Sequence, residues 1–182
     1  AKYIKSDLES IGMSDVRMDE YGYVYGALPA SDGCEGRDVI GLIAHMDTSL
    51  DAPGADIKTK QFTYEGGDIV LNDKGSISAD EFDLEYFIGQ ELIVTDGTTL
   101  LGADDKAGAA EIVTVMEYLI SHPEIKHGKV LVAFTPDEEI GRGTDKFDLE
   151  HFPAKYAYTL DGGRINSIEY ECFNAASCRV LV

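Results

Sequence analysis

Two apolar runs constrain this chain more than anything else in it. Val39–Ala44 and Val130–Phe134 are almost uninterrupted in valine, isoleucine, leucine, alanine and phenylalanine. Such a run, too short for a helix and not alternating with polar residues, is what a strand buried on both faces requires. Leu92–Val94 and Tyr156–Leu160 are weaker runs of the same kind. Between them, Ala109, Ile112, Val113, Met116, Leu119 and Ile120 recur at helical spacing over 105–121, and Pro123 follows. Strands alternating with helices predict an α/β fold: a mostly parallel mixed sheet flanked by helices.

An acidic or imidazole cluster follows, or soon follows, each run: His45-Met46-Asp47, Asp104-Asp105, Glu138-Glu139 and Asp161. Parallel strands bring their carboxyl ends to one edge, where open α/β sheets bind ligands. His45 and Asp47, two apart in a strand, face the same side. The carboxylate can then hold the second ring nitrogen of a metal-binding imidazole. Taken alone, a His-x-Asp pair is more often a structural hydrogen-bonded pair than a metal site. Asp104 and Asp105 open a helix and repel each other unless a cation lies beside them; an acidic first turn is also ordinary capping, but Gly102 and Gly108 suggest close backbone packing, which a simple cap does not require. Glu138 and Glu139 end a fully apolar strand: one can bind metal while its neighbour takes a proton from water. Asp161 alone reads as a turn residue. One imidazole and several carboxylates gathered at strand ends suit a dinuclear zinc hydrolase, with Mn²⁺ or Co²⁺ as substitutes.

The rest of the chain reads more plainly. Lys2–Ile11 is helix-like and stops at Gly12, and Val16–Met18 with Tyr23–Leu28 make a hairpin around Gly22. Pro29–Arg37 is a loop. Thr48–Gly75 reads as an elaborated loop with a short strand at Asp68–Leu71. Phe82–Ile88 and Asp148–Phe152 read as short helices, Glu91–Thr95 and Ile168–Phe173 as strands. Thirty-four acidic residues against fifteen basic give a net charge of −19, which disfavours nucleic acid and anionic membranes. Cys34, Cys172 and Cys178 lack metal-binding spacing and read as free thiols of a reducing, cytoplasmic compartment. The chain opens inside a helix and closes on a strand-like 177–182, as a portion of a longer protein would.

At Ala44-His45-Met46-Asp47-Thr48-Ser49, 95–108, 133–141, 158–163 and Phe173-Asn174-Ala175-Ala176, the sequence resembles the tripeptide aminopeptidases of the dinuclear zinc exopeptidase family. The resemblance implies a catalytic domain over 1–176, incomplete at its C-terminal side. The start of a lid or dimerisation domain would lie at 177–182. It implies that His45 and Asp161 bind one zinc, Asp104 bridges two, and Glu139 binds the other. Asp47 would orient His45, Glu138 would be the general base, and Asp105 would support the metal ligands through a cis Asp104–Asp105 peptide. A further His ligand of the second zinc has no counterpart here, since His122, His127 and His151 read as structural or solvated. The implied reaction is release of the N-terminal residue of a small peptide in the cytoplasm, by a protein able to form homodimers. A related dipeptidase or N-acyl amino acid amidohydrolase, and a metal-binding domain without catalysis, are the alternatives.

Overall fold

The computed structural model describes residues 1–163, 167–171 and 178. Helix α1 (Lys2–Ser10) turns Leu8 inward, with Ile4 and Ile11 beside it at helical spacing. Strands β1 (Ser14–Met18) and β2 (Val24–Leu28) form the expected antiparallel hairpin. Then follow β3 (Ile40–His45), β4 (Thr59–Thr63), β5 (Ile69–Asn72), β6 (Gly75–Ile77) and β7 (Glu91–Thr95). Helix α2 (Ala103–Ser121), β8 (Val130–Thr135) and β9 (Tyr156–Thr159) complete the described elements.

Five strands form one mixed sheet in the order β1-β2-β8-β3-β9. The hairpin joins it antiparallel through β2 and β8, whereas β8, β3 and β9 run parallel. All six residues of β8 are buried, as its apolar run predicts. Alternate residues of β2 and β8 feed two cores. Val24, Leu28, Val130, Val132 and Phe134 meet Leu8 of α1 and Ala109, Ile112 and Met116 of α2. Tyr23, Tyr25, Ala27, Leu131 and Ala133 face the other way, onto Phe147, Phe152 and Ala154. Both helices therefore cover one face and the 147–154 segment covers the other.

That segment is not the helix expected over Asp148–Phe152. Pro153 disfavours helical backbone at Phe152. The Asp148 carboxylate is occupied by Arg17 and the N–H of His151, and Phe152 is pulled into the sheet. Its ring lies where Gly41 of β3 leaves room: a Cβ at Gly41 would stand 2.6 Å from it.

The stretch expected to be an elaborated loop, Thr48–Gly75, holds the short strand expected at Asp68–Leu71, here β5, and also β4, which was not expected. β4 pairs antiparallel with β7, and β5 with β6, in two separate two-stranded sheets around Tyr64, Ile69 and Leu84. β7 therefore lies outside the main sheet, contrary to the expectation that its end joins the parallel edge. The short helix expected over Phe82–Ile88 is a 3₁₀ turn at Leu84–Phe87. Residues 168–171 form no strand, and the rest of the strand expected over Ile168–Phe173 lies outside the described residues, as do Phe173–Ala176.

Gly41→Ala should destabilise the protein by about 1–3 kcal/mol through overpacking. The same change in a Phe152→Ala background should cost almost nothing. Urea unfolding of the four proteins in this double-mutant cycle checks the coupling; additive losses would show that Phe152 does not depend on the space at Gly41.

Candidate metal centre

Because β8, β3 and β9 are parallel, their C-terminal ends share one edge. The register sets His45 opposite Thr135 and Ile43 opposite Thr159. Bonds from Met46 N–H to the Thr135 carbonyl (2.8 Å) and from Leu160 N–H to the Ile43 carbonyl (2.8 Å) carry the ladder past the strand ends. Glu138 thus emerges on one side of His45 and Asp161 on the other.

Asp104 arrives differently. The small β unit returns through β7 into a 96–102 turn, braced by Thr95 Oγ1 on the Thr99 carbonyl (3.0 Å) and Leu100 N–H on the Pro53 carbonyl (2.9 Å). The left-handed backbone at Gly97 (φ +78) favours glycine there, and a Cβ would also crowd Leu71 Cβ at 3.1 Å and the Asn72 side chain. α2 then begins with a kink, and the Asp104–Asp105 peptide is cis, as the resemblance implies.

The two adjacent acids point opposite ways. Asp105 is 3% exposed. Its carboxylate accepts the N–H of His45 (3.1 Å) and of Gly108 (3.1 Å). Burial, with help from the Asp161 charge, pushes its pKa up to about 6 against those bonds. Asp104 faces outward and its Oδ1 stands 2.8 Å from His45 Nε2. The same nitrogen lies 3.8 Å from Asp161 Oδ2 and 3.8 Å from Glu138 Oε2.

His45 is buried, and burial works against its charged form. The Asp104 carboxylate and the charges of Asp161, Asp105 and Asp47 outweigh that and raise its pKa. Burial and the Asp104 charge raise Asp161, partly offset by His45. On the far side of the ring, Nδ1 donates to the main-chain carbonyl of Asp47 (2.9 Å), which leaves Nε2 as the nitrogen facing the acids. The Asp47 carboxylate is 3.5 Å from Nδ1 and accepts instead the N–H groups of Glu138 and Glu139, each at 3.1 Å.

Donor atoms of His45, Asp104 and Asp161 all lie within 4.8 Å of one another, and these residues could hold a metal ion. An imidazole nitrogen with two carboxylate oxygens is a donor set suited to zinc and similar ions. Among the described residues no other group of three or more His, Cys, Asp or Glu is so placed. Glu139 is not in the cluster, although its N–H is tied to the same edge. His122 and His127 bond main-chain carbonyls, and His151 pairs with Asp148. The close backbone packing that Gly102 and Gly108 suggest is found at Gly108: a Cβ there would clash with the Leu160 carbonyl, so the glycine lets the end of β9 approach α2. No helix among the described residues is long and apolar enough to cross a membrane.

No family model matches the chain. Curated proteins do. Peptidase T of Brevibacillus brevis is 56% identical over 184 residues, covering 99% of this chain and 45% of its own length. Peptidase T of Geobacillus kaustophilus is 54% identical over 186 residues, covering 100% and 45%. Among solved structures, the aminopeptidase PepT of Bacillus cereus superposes with a TM-score of 0.63 at 31% identity, over 88% of this chain and 37% of that one. The chain spans a little under half the length of the curated relatives it matches. In sequence and in fold it is thus similar to a portion of peptidase T.

Proposed function

We propose that the chain carries most of the active site of a zinc-dependent aminopeptidase that releases the N-terminal residue of tripeptides. One observation carries the reading. The three-donor cluster of His45, Asp104 and Asp161 has a third carboxylate beside it, Glu138, 3.8 Å from its imidazole nitrogen and outside the donor set. A cation between the three donors therefore has a neighbouring base that it does not consume. The likeness to peptidase T supports the peptidase class, and the resemblance of the motifs implies tripeptides as substrates.

In this reading His45, Asp104 and Asp161 would hold one zinc, and Asp104 with Glu139 would contribute to holding a second. Bound zinc supplies a Lewis acid, which polarises a carbonyl and lowers the pKa of water. The chain's own residues do the rest. Glu138 takes a proton from water as its oxygen attacks the scissile carbonyl carbon, then returns it to the leaving amine nitrogen. The Asp47 carbonyl fixes the tautomer and rotation of His45. Asp105 and Gly108 keep Asp104, His45 and the end of β9 together. The domain division at 176/177, a cytoplasmic location and homodimer formation through a lid domain belong to the same proposal.

A second reading has a specific observation behind it: the Glu139 side chain stands outside the cluster, so this chain by itself binds one cation and does not turn over peptide. Zinc titration by calorimetry separates the two. We expect one tight zinc per chain, lost in His45→Ala; unchanged binding by that variant would remove His45 from the centre. Two tight zincs with turnover by this chain alone would overturn the single-cation expectation. In the full-length protein, Glu138→Ala should lower kcat on a tripeptide by about 10²–10⁴-fold while zinc content stays the same. Ordinary turnover by that variant would end the base assignment. Comparing tripeptides with dipeptides and N-acyl amino acids tests the substrate class.

A further inference from the structure

Asp47 makes three connections, and they divide between its main chain and its side chain. Its carbonyl accepts a hydrogen bond from His45 Nδ1–H, with an N···O distance of 2.9 Å. Its two carboxylate oxygens take one N–H each, from Glu138 and Glu139, both at 3.1 Å. The imidazole is thus already satisfied by the shorter carbonyl contact. The carboxylate, 3.5 Å from Nδ1, makes its hydrogen bonds to the other segment.

The segment it holds needs holding. Glu138–Ile140 is a single 3₁₀ turn set between two left-handed residues, Asp137 (φ 63) and Gly141 (φ 71). The first amides of such a turn have no partners within it, and Asp47 reaches across from the end of β3 to supply them. Beneath the turn, Gly143 passes so close that a Cβ would stand 3.3 Å from Glu138 Cα. Tyr23 Oη donates to the Gly143 carbonyl at 3.0 Å and fixes that floor to β2.

We propose that Asp47 is a positioning residue for Glu138: its carboxylate fixes the turn that directs Glu138 toward the Nε2 side of His45, while its carbonyl alone orients the imidazole. This rests on Glu138 being the base. The division of labour has a consequence that a simple His–Asp pair does not. Removing the Asp47 carboxylate should disturb Glu138 and spare the metal-binding imidazole, because a side-chain substitution leaves the carbonyl in place.

The test compares Asp47→Ala and Asp47→Asn with the wild type in the full-length chain. Amide hydrogen exchange, zinc affinity and tripeptide kinetics are read together. In Asp47→Ala, exchange at Glu138 and Glu139 should speed up by about tenfold or more. Zinc affinity should stay within about threefold, since loss of an imidazole-orienting partner costs about 10–100-fold. The kcat should fall by about 10²-fold at nearly constant KM. Asp47→Asn keeps one acceptor oxygen and should recover part of both the exchange protection and kcat; it also serves if the alanine variant does not fold. A 10–100-fold loss of zinc affinity with unchanged exchange at Glu138 would overturn the proposal, because the carboxylate would then be acting on the ring. Faster exchange with unchanged kcat would overturn it as well. A wild type without peptidase activity would refute the proposed function, and the exchange data would still decide whether Asp47 holds the turn.

Discussion

The buried Asp105 carboxylate is the constraint on which the rest of this site depends. A charged group taken out of water is costly unless hydrogen bonds meet it. Here two main-chain N–H groups do, from His45 at the end of β3 and from Gly108 in the first regular turn of α2. The bonds lock the start of the helix against the end of the strand. Two consequences follow from the geometry. With Asp105 turned inward, the adjacent Asp104 is presented outward, its side chain 70% exposed, against His45 Nε2. With Gly108 lacking a side chain, the Leu160 carbonyl can come close to the helix and bring Asp161 with it. One inward carboxylate thus sets three segments in register.

The centre so assembled is rich in negative charge. Asp104, Asp161 and Glu138 crowd one imidazole nitrogen; the carboxylates raise the pKa of His45 against its burial, and burial with the Asp104 charge raises that of Asp161. Like charges at these distances favour whatever positive species can settle among them, a proton or a metal ion. Glu138 is distinct in this group. Its main chain is held by Asp47, and its side chain reaches the same nitrogen from the β8 side. The acids divide accordingly into two that, with His45, could hold a metal ion and one that approaches from beside them.

Much of this was legible in the sequence, for a physical reason. Strands buried on both faces must be apolar throughout, so β3 and β8 announce themselves, and the polar residues that interrupt them mark the sheet edge. The helical repeat of Ala109, Ile112 and Met116 is equally direct, because those residues face the core. β4 was not legible: Thr59-Lys60-Gln61-Phe62-Thr63 lies in a two-stranded sheet, exposed at four of five positions, and carries no burial pattern to read. β7 was legible as a strand but not its partner, since pairing with β4 depends on the strand that sequence could not show. Asp148–Phe152 misled because its acidic start resembles a helix cap, while the Phe152 side chain and Pro153 serve the sheet face instead. Asp47 was legible as a partner of His45, but spacing cannot say whether the carbonyl or the carboxylate makes the bond.

The order of the strands explains why the chemistry gathers at β3 rather than elsewhere on the edge. β8 and β9 lie on opposite sides of β3, although β9 follows β8 in the chain. The path from β3 to β8 includes α2 on one face of the sheet; the path from β8 to β9 runs through 147–154 on the other. Connections that leave on opposite faces open a crevice at the end of the strand between them. His45 ends that strand, with Glu138 delivered from β8 and Asp161 from β9. The fourth group, Asp104, cannot come from a neighbouring strand, because both neighbours are already used. It is brought over the edge by α2, and this is why the kink at the start of α2 and the buried Asp105 are needed. A site of this kind requires a helix whose first turn is attached to the central strand by its main chain, so the paired acids belong to the architecture as much as to the chemistry.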